Sequence, residues 1–184
     1  MRFLALISTI VACASLVAAL LPGLSDWLLL TVPTLLASLF LLLRHRPTIS
    51  EKRIVVDASN VMYWLDNTPK IDTLRDVLQA LKAQGFTPGT IFDANAGYLL
   101  TGRYLDDGDL ARLLGLPIQN VVVVQKGTPA DPVILRAARD LGAPILSNDL
   151  YRDWVGDHPE IKTPGHLIKG GYKDGALWLG LPAA

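Results

Sequence analysis

The stretch Arg53-Ile54-Val55-Val56-Asp57-Ala58-Ser59-Asn60 decides the fold. Its β-branched run shows no alternation of polar and apolar positions. The strand it forms is therefore expected to be covered on both faces, as in a parallel sheet. A carboxylate placed directly after such a strand is costly unless it has a partner or a purpose. The pattern recurs downstream. Thr90-Ile91-Phe92-Asp93 reads as a second strand, and Asn120 to Gln125, with four consecutive valines, as a central one. Pro144-Ile145-Leu146-Ser147 reads as a fourth. Between them the spacing turns helical. Ile71–Gln84 carries Leu74, Val77, Leu78 and Leu81 on one face and is stopped by Gly85. Leu105–Leu114 predicts a short helix, and Pro132–Leu141 one with proline in its first turn and Gly142 past its end. Leu150–Val155 begins another. The segments 166–169 and 176–179 flank a Gly/Lys/Asp turn and predict a terminal hairpin. Strands alternating with helices imply an α/β fold, a parallel sheet flanked by helices.

In such sheets a ligand site lies beyond the carboxyl ends of the strands, and that rule selects the acids. Asp57 and Asp93 end the first two strands. Asp131 follows the third after the loop Lys126-Gly127-Thr128-Pro129-Ala130, and Asp149 follows the fourth. Asp153 stands four residues further on, so a helix beginning at Asp149 puts both carboxylates on one face. Asn60 can turn back toward the same edge. Carboxylates gathered together repel unless a cation intervenes, and a hard divalent ion, Mg²⁺ or Mn²⁺, suits an all-oxygen donor set. Such a site acts on phosphodiesters with water. His45, His158 and His166 are scattered and Cys13 is the only cysteine, so neither a zinc site nor a disulfide framework is expected. Blander readings compete residue by residue. Asp131 and Asp149 are each good helix N-caps, Asp93-Ala94-Asn95 reads as a turn, and Asp153 as a solvated helix residue. The coincidence of all four strand ends favours the metal site.

At these residues the chain resembles a known family. Val55-Val56-Asp57-Ala58-Ser59-Asn60-Val61 resembles the opening motif of the NYN/PIN-like nucleases. Ile145-Leu146-Ser147-Asn148-Asp149-Leu150-Tyr151-Arg152-Asp153-Trp154 is similar to the S-N-D-x-Y-R-D block of their Zc3h12a-type (Regnase-like) ribonuclease branch. Ala130-Asp131-Pro132-Val133-Ile134 resembles that branch's middle acidic motif, which has two adjacent acids where this chain has Ala130-Asp131. Phe92-Asp93-Ala94-Asn95 and the 126–131 loop also resemble the bacterial YacP-like branch. The likeness covers roughly residues 53–180. It implies a PIN-like (NYN) fold and a metal-dependent endoribonuclease. The ion would be held by Asp57, Asp131, Asp149 and Asp153, with Asp93 as accessory acid and Asn60 orienting Asp57 or the substrate phosphate.

RNA is the expected partner, and single-stranded RNA the preferred form, because stacking needs unstacked bases. Lys126 is well placed for a phosphate. Arg152 serves either a phosphate or a salt bridge to Asp149 or Asp153. Arg103, Arg136, Arg139, Lys162, Lys169 and Lys173 are candidate backbone contacts. Tyr63, Trp64 and Tyr151 are candidate stacking platforms, with Trp64 equally readable as a core residue. No nucleotide cofactor is expected, since Asp57-Ala58-Ser59-Asn60 lacks the glycines of a dinucleotide turn. A haloacid-dehalogenase-like phosphatase would want a second acid where Ser59 stands. The rival from another class is a membrane-tethered RNA-binding or scaffold module with a degenerate site, suggested by Ala130.

Upstream of the first strand the composition changes. Phe3 to Leu21 and Trp27 to Leu43 are apolar runs, separated by Pro22-Gly23-Leu24-Ser25-Asp26. Each approaches the ~20 residues a helix needs to cross a bilayer. Arg2, Arg44 and Arg46 flank the outer ends, and the connector has no cation. The positive-inside rule then leaves both ends cytoplasmic and Trp27 at the opposite interface. The expected organisation is a two-helix transmembrane anchor over 1–47, a linker over 48–52 and the catalytic domain over 53–182. That places a multi-pass protein in the cell membrane with its domain in the cytoplasm. A cleaved signal segment, or lipidation at Cys13, is the competing reading. Self-association through the anchor stays open, although no G-x-x-x-G pattern argues for it. The 17 Lys+Arg and 17 Asp+Glu cancel overall. With the anchor's arginines set aside the domain is slightly acidic, so RNA binding must use local basic patches.

Overall fold

The computed structural model describes residues 32–37, 40 and 52–181. The chain divides into two compact units, Met1–Ser50 and Glu51–Ala184. In the first unit, residues 32–37 and 40 are helical. Val32, Leu36 and Phe40, at four-residue spacing, are exposed. The rest of the two expected spans lies outside the described residues, and among those described no helix is long and apolar enough to cross a membrane.

The second unit is built on a five-stranded, all-parallel sheet. Its strands are β1 (Lys52–Asp57), β2 (Phe86–Phe92), β3 (Val121–Val123), β4 (Ile145–Leu146) and β5 (Leu167–Ile168), in the order β3-β2-β1-β4-β5. β1 is central, and alternate side chains explain its unbroken apolar run. Ile54 and Val56 pack into the core formed with α2 (Ile71–Ala83) and α4 (Asp107–Leu114), against Leu74, Val77, Leu78, Leu81 and Leu110. Val55 points the other way, into the cluster of Ile134, Leu135 and Ala138 on α5 (Asp131–Leu141). Two layers of helix thus sandwich the sheet, and each fully buried aliphatic side chain contributes about 1.5–3 kcal/mol. Short helices α1 (Ala58–Val61) and α3 (Ala96–Thr101) follow β1 and β2 directly. Both escape a periodicity argument because neither completes two turns.

Three expectations are corrected. The valine strand is not central: β3 is three residues long at the sheet edge, with Val122 exposed. β2 pairs with it on the outside, and the chain then crosses to the other side of β1, so position in the sheet was fixed by connectivity rather than by local hydrophobicity. Leu167–Ile168 belongs to the parallel sheet as β5. The hairpin is instead β6 (Gly170–Lys173) with β7 (Ala176–Leu179). Its two-residue turn, Asp174-Gly175, has φ of 54° and 77°, the left-handed pair that matches strand twist. No α-helix spans 150–155. A 3₁₀ turn over Arg152–Trp154 replaces it, preceded by Tyr151 at φ 47°. A left-handed residue cannot sit inside a right-handed helix.

Candidate active site

All five parallel strands point their carboxyl ends at one rim, and the acids selected above collect along it. Asp57 is the most enclosed, 7% exposed at the end of the central strand. One carboxylate oxygen, Oδ1, accepts from the Asn60 backbone N–H at 3.1 Å. The other, Oδ2, accepts from the Ser147 hydroxyl at 2.8 Å and the Tyr151 hydroxyl at 2.9 Å. These bonds answer why a charge can end a buried strand, since three donors replace much of its lost water. Burial still prevails and pushes the Asp57 carboxyl up, against the pull of Ser147, Asn60 and Tyr151, with Asp131 adding repulsion. Burial and the Asp57 charge drive the Tyr151 hydroxyl far above its ordinary range, so it remains a donor. The backbone of Tyr151 is held for this task. Its N–H donates to Asp149 Oδ1 at 2.8 Å, and the Asp149 N–H donates to Ser147 Oγ at 3.1 Å.

Asp131 does not cap its helix. Ala130 is the N-cap residue, and no side chain bonds there. The Asp131 carboxylate instead accepts from Trp154 Nε1 at 3.3 Å. Its pKa is raised first by burial, partly offset by the Trp154 bond, and then by the charges of Asp149, Asp93 and Asp153. Charges from two other stretches of chain, Asp93 after β2 and the Asp149–Asp153 segment after β4, therefore act on one carboxylate. Asp149 makes a local turn with Tyr151 rather than a helix cap. Asp153 reaches the rim from the 3₁₀ turn, not from a helix shared with Asp149. Asp93 donates its N–H to Ser59 Oγ at 2.8 Å.

Convergence is looser than the sequence reading expects. Among the described residues no group of three or more His, Cys, Asp or Glu is placed to hold one metal ion. The donor chemistry nevertheless fits a hard cation. All donors are carboxylate oxygens, two of the carboxyls are destabilised in their charged form, and among the described residues none of the five acids has an ion pair with lysine or arginine.

Several assignments change. Asn60 contributes its backbone N–H to Asp57, while its carboxamide oxygen accepts from Trp64 Nε1 at 2.8 Å and the Asn148 N–H at 3.1 Å. Trp64 is thereby a brace, packed against Gly170, and not a stacking platform. Tyr151 is buried, so it cannot stack on a base either. Arg152 and Lys126 are exposed and form no ion pair with a described residue, so the internal salt bridge from Arg152 is absent there. Arg139 is committed elsewhere, to Glu160 at 2.7 and 2.9 Å and the Asp157 carbonyl at 2.5 Å. Sequence reasoning missed the roles of Ser147 and Tyr151 as donors to Asp57. The only signal was their place in the motif with Asp149.

A family model for the Zc3h12a-like ribonuclease NYN domain matches residues 50–166. Two solved structures of a nuclear protein-only RNase P 2 (PRORP2) from Arabidopsis thaliana share the fold. One has a TM-score of 0.54 at 17% identity over 80% of this chain and 35% of that one. The other has a TM-score of 0.52 at 16% identity, over 96% and 37%. The chain thus spans about a third of the length of these structures. No curated protein sequence matches.

Proposed function

The chain belongs to the Zc3h12a-like ribonuclease NYN domain family, and from that premise we propose that it is a membrane-anchored, metal-dependent endoribonuclease acting on single-stranded RNA. The observation that carries the reading is the state of Asp57 and Asp131. Both stand at the rim of a parallel sheet and both are raised by burial and by neighbouring carboxylates; Asp131 caps no helix, and Asp57, whose Oδ1 caps α1 through the Asn60 N–H, turns Oδ2 to Ser147 and Tyr151. Carboxyls raised by burial and by one another at the edge of a sheet are characteristic of functional sites.

Asp57, Asp131, Asp149 and Asp153, with Asp93 as accessory, would hold Mg²⁺ or Mn²⁺. When bound, the ion supplies Lewis-acid stabilisation of the charge that builds on a phosphodiester attacked by water. The chain's own groups do the rest. Ser147, Tyr151 and the Asn60 N–H fix the Asp57 carboxylate in one orientation, leaving it little freedom to lose on binding. Lys126 and Arg152, free of described ion pairs, bind backbone phosphates on either side of the acids. The Asn60 side chain acts indirectly, by bracing the Asn148 loop.

Asp57→Asn and Asp149→Asn should each abolish Mn²⁺-dependent RNA cleavage while the circular-dichroism spectrum is unchanged. Undiminished cleavage in both removes the catalytic assignment. A second reading, a degenerate RNA-binding module, is favoured by one observation, the lack of three converging ligands among the described residues. It predicts RNA binding with no cleavage in any divalent cation.

The anchor rests on the apolar runs 3–21 and 27–43 and their flanking arginines. The exposed Val32, Leu36 and Phe40 supply an apolar stripe in the second run. Resistance of the full chain to alkaline extraction from membranes checks it, and quantitative release into the supernatant would refute it.

A further inference from the structure

A second groove opens on the same rim, beside the acids rather than among them. It holds about 450 Å³ and is lined by Asn95, Tyr98, Tyr104, Val124, Gln125 and Lys126. Asn95 lies two residues past Asp93, and Gln125 and Lys126 lie two and three residues past the end of β3. The groove therefore continues the line of acids toward the β3 edge of the sheet. Its two aromatic rings are unusual. Tyr98 and Tyr104 are each 56% exposed. Their centroids lie 6.5 Å apart with planes tilted by 51°. Gly102, at φ 78°, ends α3 between them and turns the chain back. Single exposed aromatics need no explanation, but two presented together beside a cation and two carboxamides do.

We propose that this groove is a subsite for an unpaired nucleotide of the RNA strand next to the one being cut. The inference rests on the ribonuclease reading for its position but not for its chemistry. An unpaired base stacks on an exposed tyrosine face, and the two rings, tilted against each other, present a V rather than a parallel slot. Asn95 and Gln125 each carry donors and an acceptor, matching the mixed edge of a base. Lys126 neutralises the phosphate of the same nucleotide. The geometry selects single strands, since only an unstacked base presents its face.

Binding is measured by fluorescence anisotropy with the full chain in detergent and EDTA, so that it is separable from cleavage. The probes are a labelled poly(U) strand, the same strand annealed to poly(A), and an abasic ribose-phosphate strand of equal length. Relative to wild type, Y98A/Y104A should weaken poly(U) binding about tenfold or more. It should leave the abasic strand unchanged, and Y98F/Y104F should restore poly(U) binding. Unchanged poly(U) affinity in Y98A/Y104A overturns the proposal, as does an equal loss on the abasic strand or the duplex. If wild type fails to cleave in Mn²⁺ but binds poly(U) through these tyrosines, the enzymatic reading falls and the subsite stands.

Discussion

Asp57 shows how a single residue can be obvious in a sequence while its surroundings are not. Its exposure to suspicion came from three apolar neighbours before it, a local signal. Its donors came from Ser147 and Tyr151, 90 and 94 residues away, and no local pattern carries a pairing of that separation. The stacking role expected of Tyr151 fails for the same reason: a tyrosine's burial is decided by what it meets, not by its neighbours in the chain. The corrected role is testable through pH. Tyr151 lowers the Asp57 carboxyl by donating to it, against the larger upward push of burial. Removing that donor in Tyr151→Phe raises the Asp57 pKa further. The ionised form then requires a higher pH, so the acid limb of the cleavage-rate profile should move upward. The shift is that of one hydrogen bond lost to a charged group, about 1.5–3 kcal/mol. A profile that keeps its acid limb while the plateau falls would assign Tyr151 to packing alone.

At the scale of elements, the terminal hairpin is the part whose register was least legible and whose influence on the site is least direct. The Gly/Lys/Asp turn was readable, but the strand before it was not. Leu167–Ile168 finds a partner in β4 before the chain can turn, because the sheet's open edge offers backbone groups that must be satisfied. The hairpin strand starts at Gly170, where glycine is required by contact. A Cβ there would lie 2.5 Å from Trp64 Cζ3 and 2.8 Å from Leu179 Cδ2. Gly170 also exchanges two hydrogen bonds with Asn148, through its carbonyl at 2.8 Å and its N–H at 3.3 Å. Trp64 and Asn148 both bond Asn60, so the hairpin braces the loop that carries Asp149. Gly170→Ala should therefore cost about 1–3 kcal/mol of stability through overpacking. It should also lower cleavage at temperatures where the protein remains folded, although residue 170 touches no acid. Chemical denaturation and single-turnover rates measure the two effects, and full activity in a destabilised variant would show that the brace does not reach the site.

For the molecule as a whole, the parallel sheet was legible because buried strands are written as continuous β-branched runs, and Ile54, Val55 and Val56 do face two separate cores. Strand order was not, since four valines cannot say which neighbour they will have. The acids were legible as strand ends, and what they cost the fold follows from their environment. A carboxyl raised in the folded state gives stability that is present below its unfolded value, near 3.8 for Asp131, and is lost as pH rises through the higher folded value. At neutral pH the ionised Asp131 is thus a net burden, moderated by its partial exposure to solvent. Asp131→Asn keeps an acceptor for Trp154 and removes the repulsion with Asp149, Asp93 and Asp153. Its melting temperature in EDTA at pH 7 should exceed wild type by about 2–4 °C, with the gap closing below pH 3.8. Adding Mn²⁺ should reverse the order. A cation that binds only the folded wild type at a hundred times its Kd adds about 2.7 kcal/mol, and the variant lacks one of its ligands. Thermal melts at both pH values, with and without Mn²⁺, decide the matter. If wild type gains nothing from Mn²⁺ while Asp131→Asn is no more stable than wild type in EDTA, the rim carries neither the stored repulsion nor the cation that would relieve it.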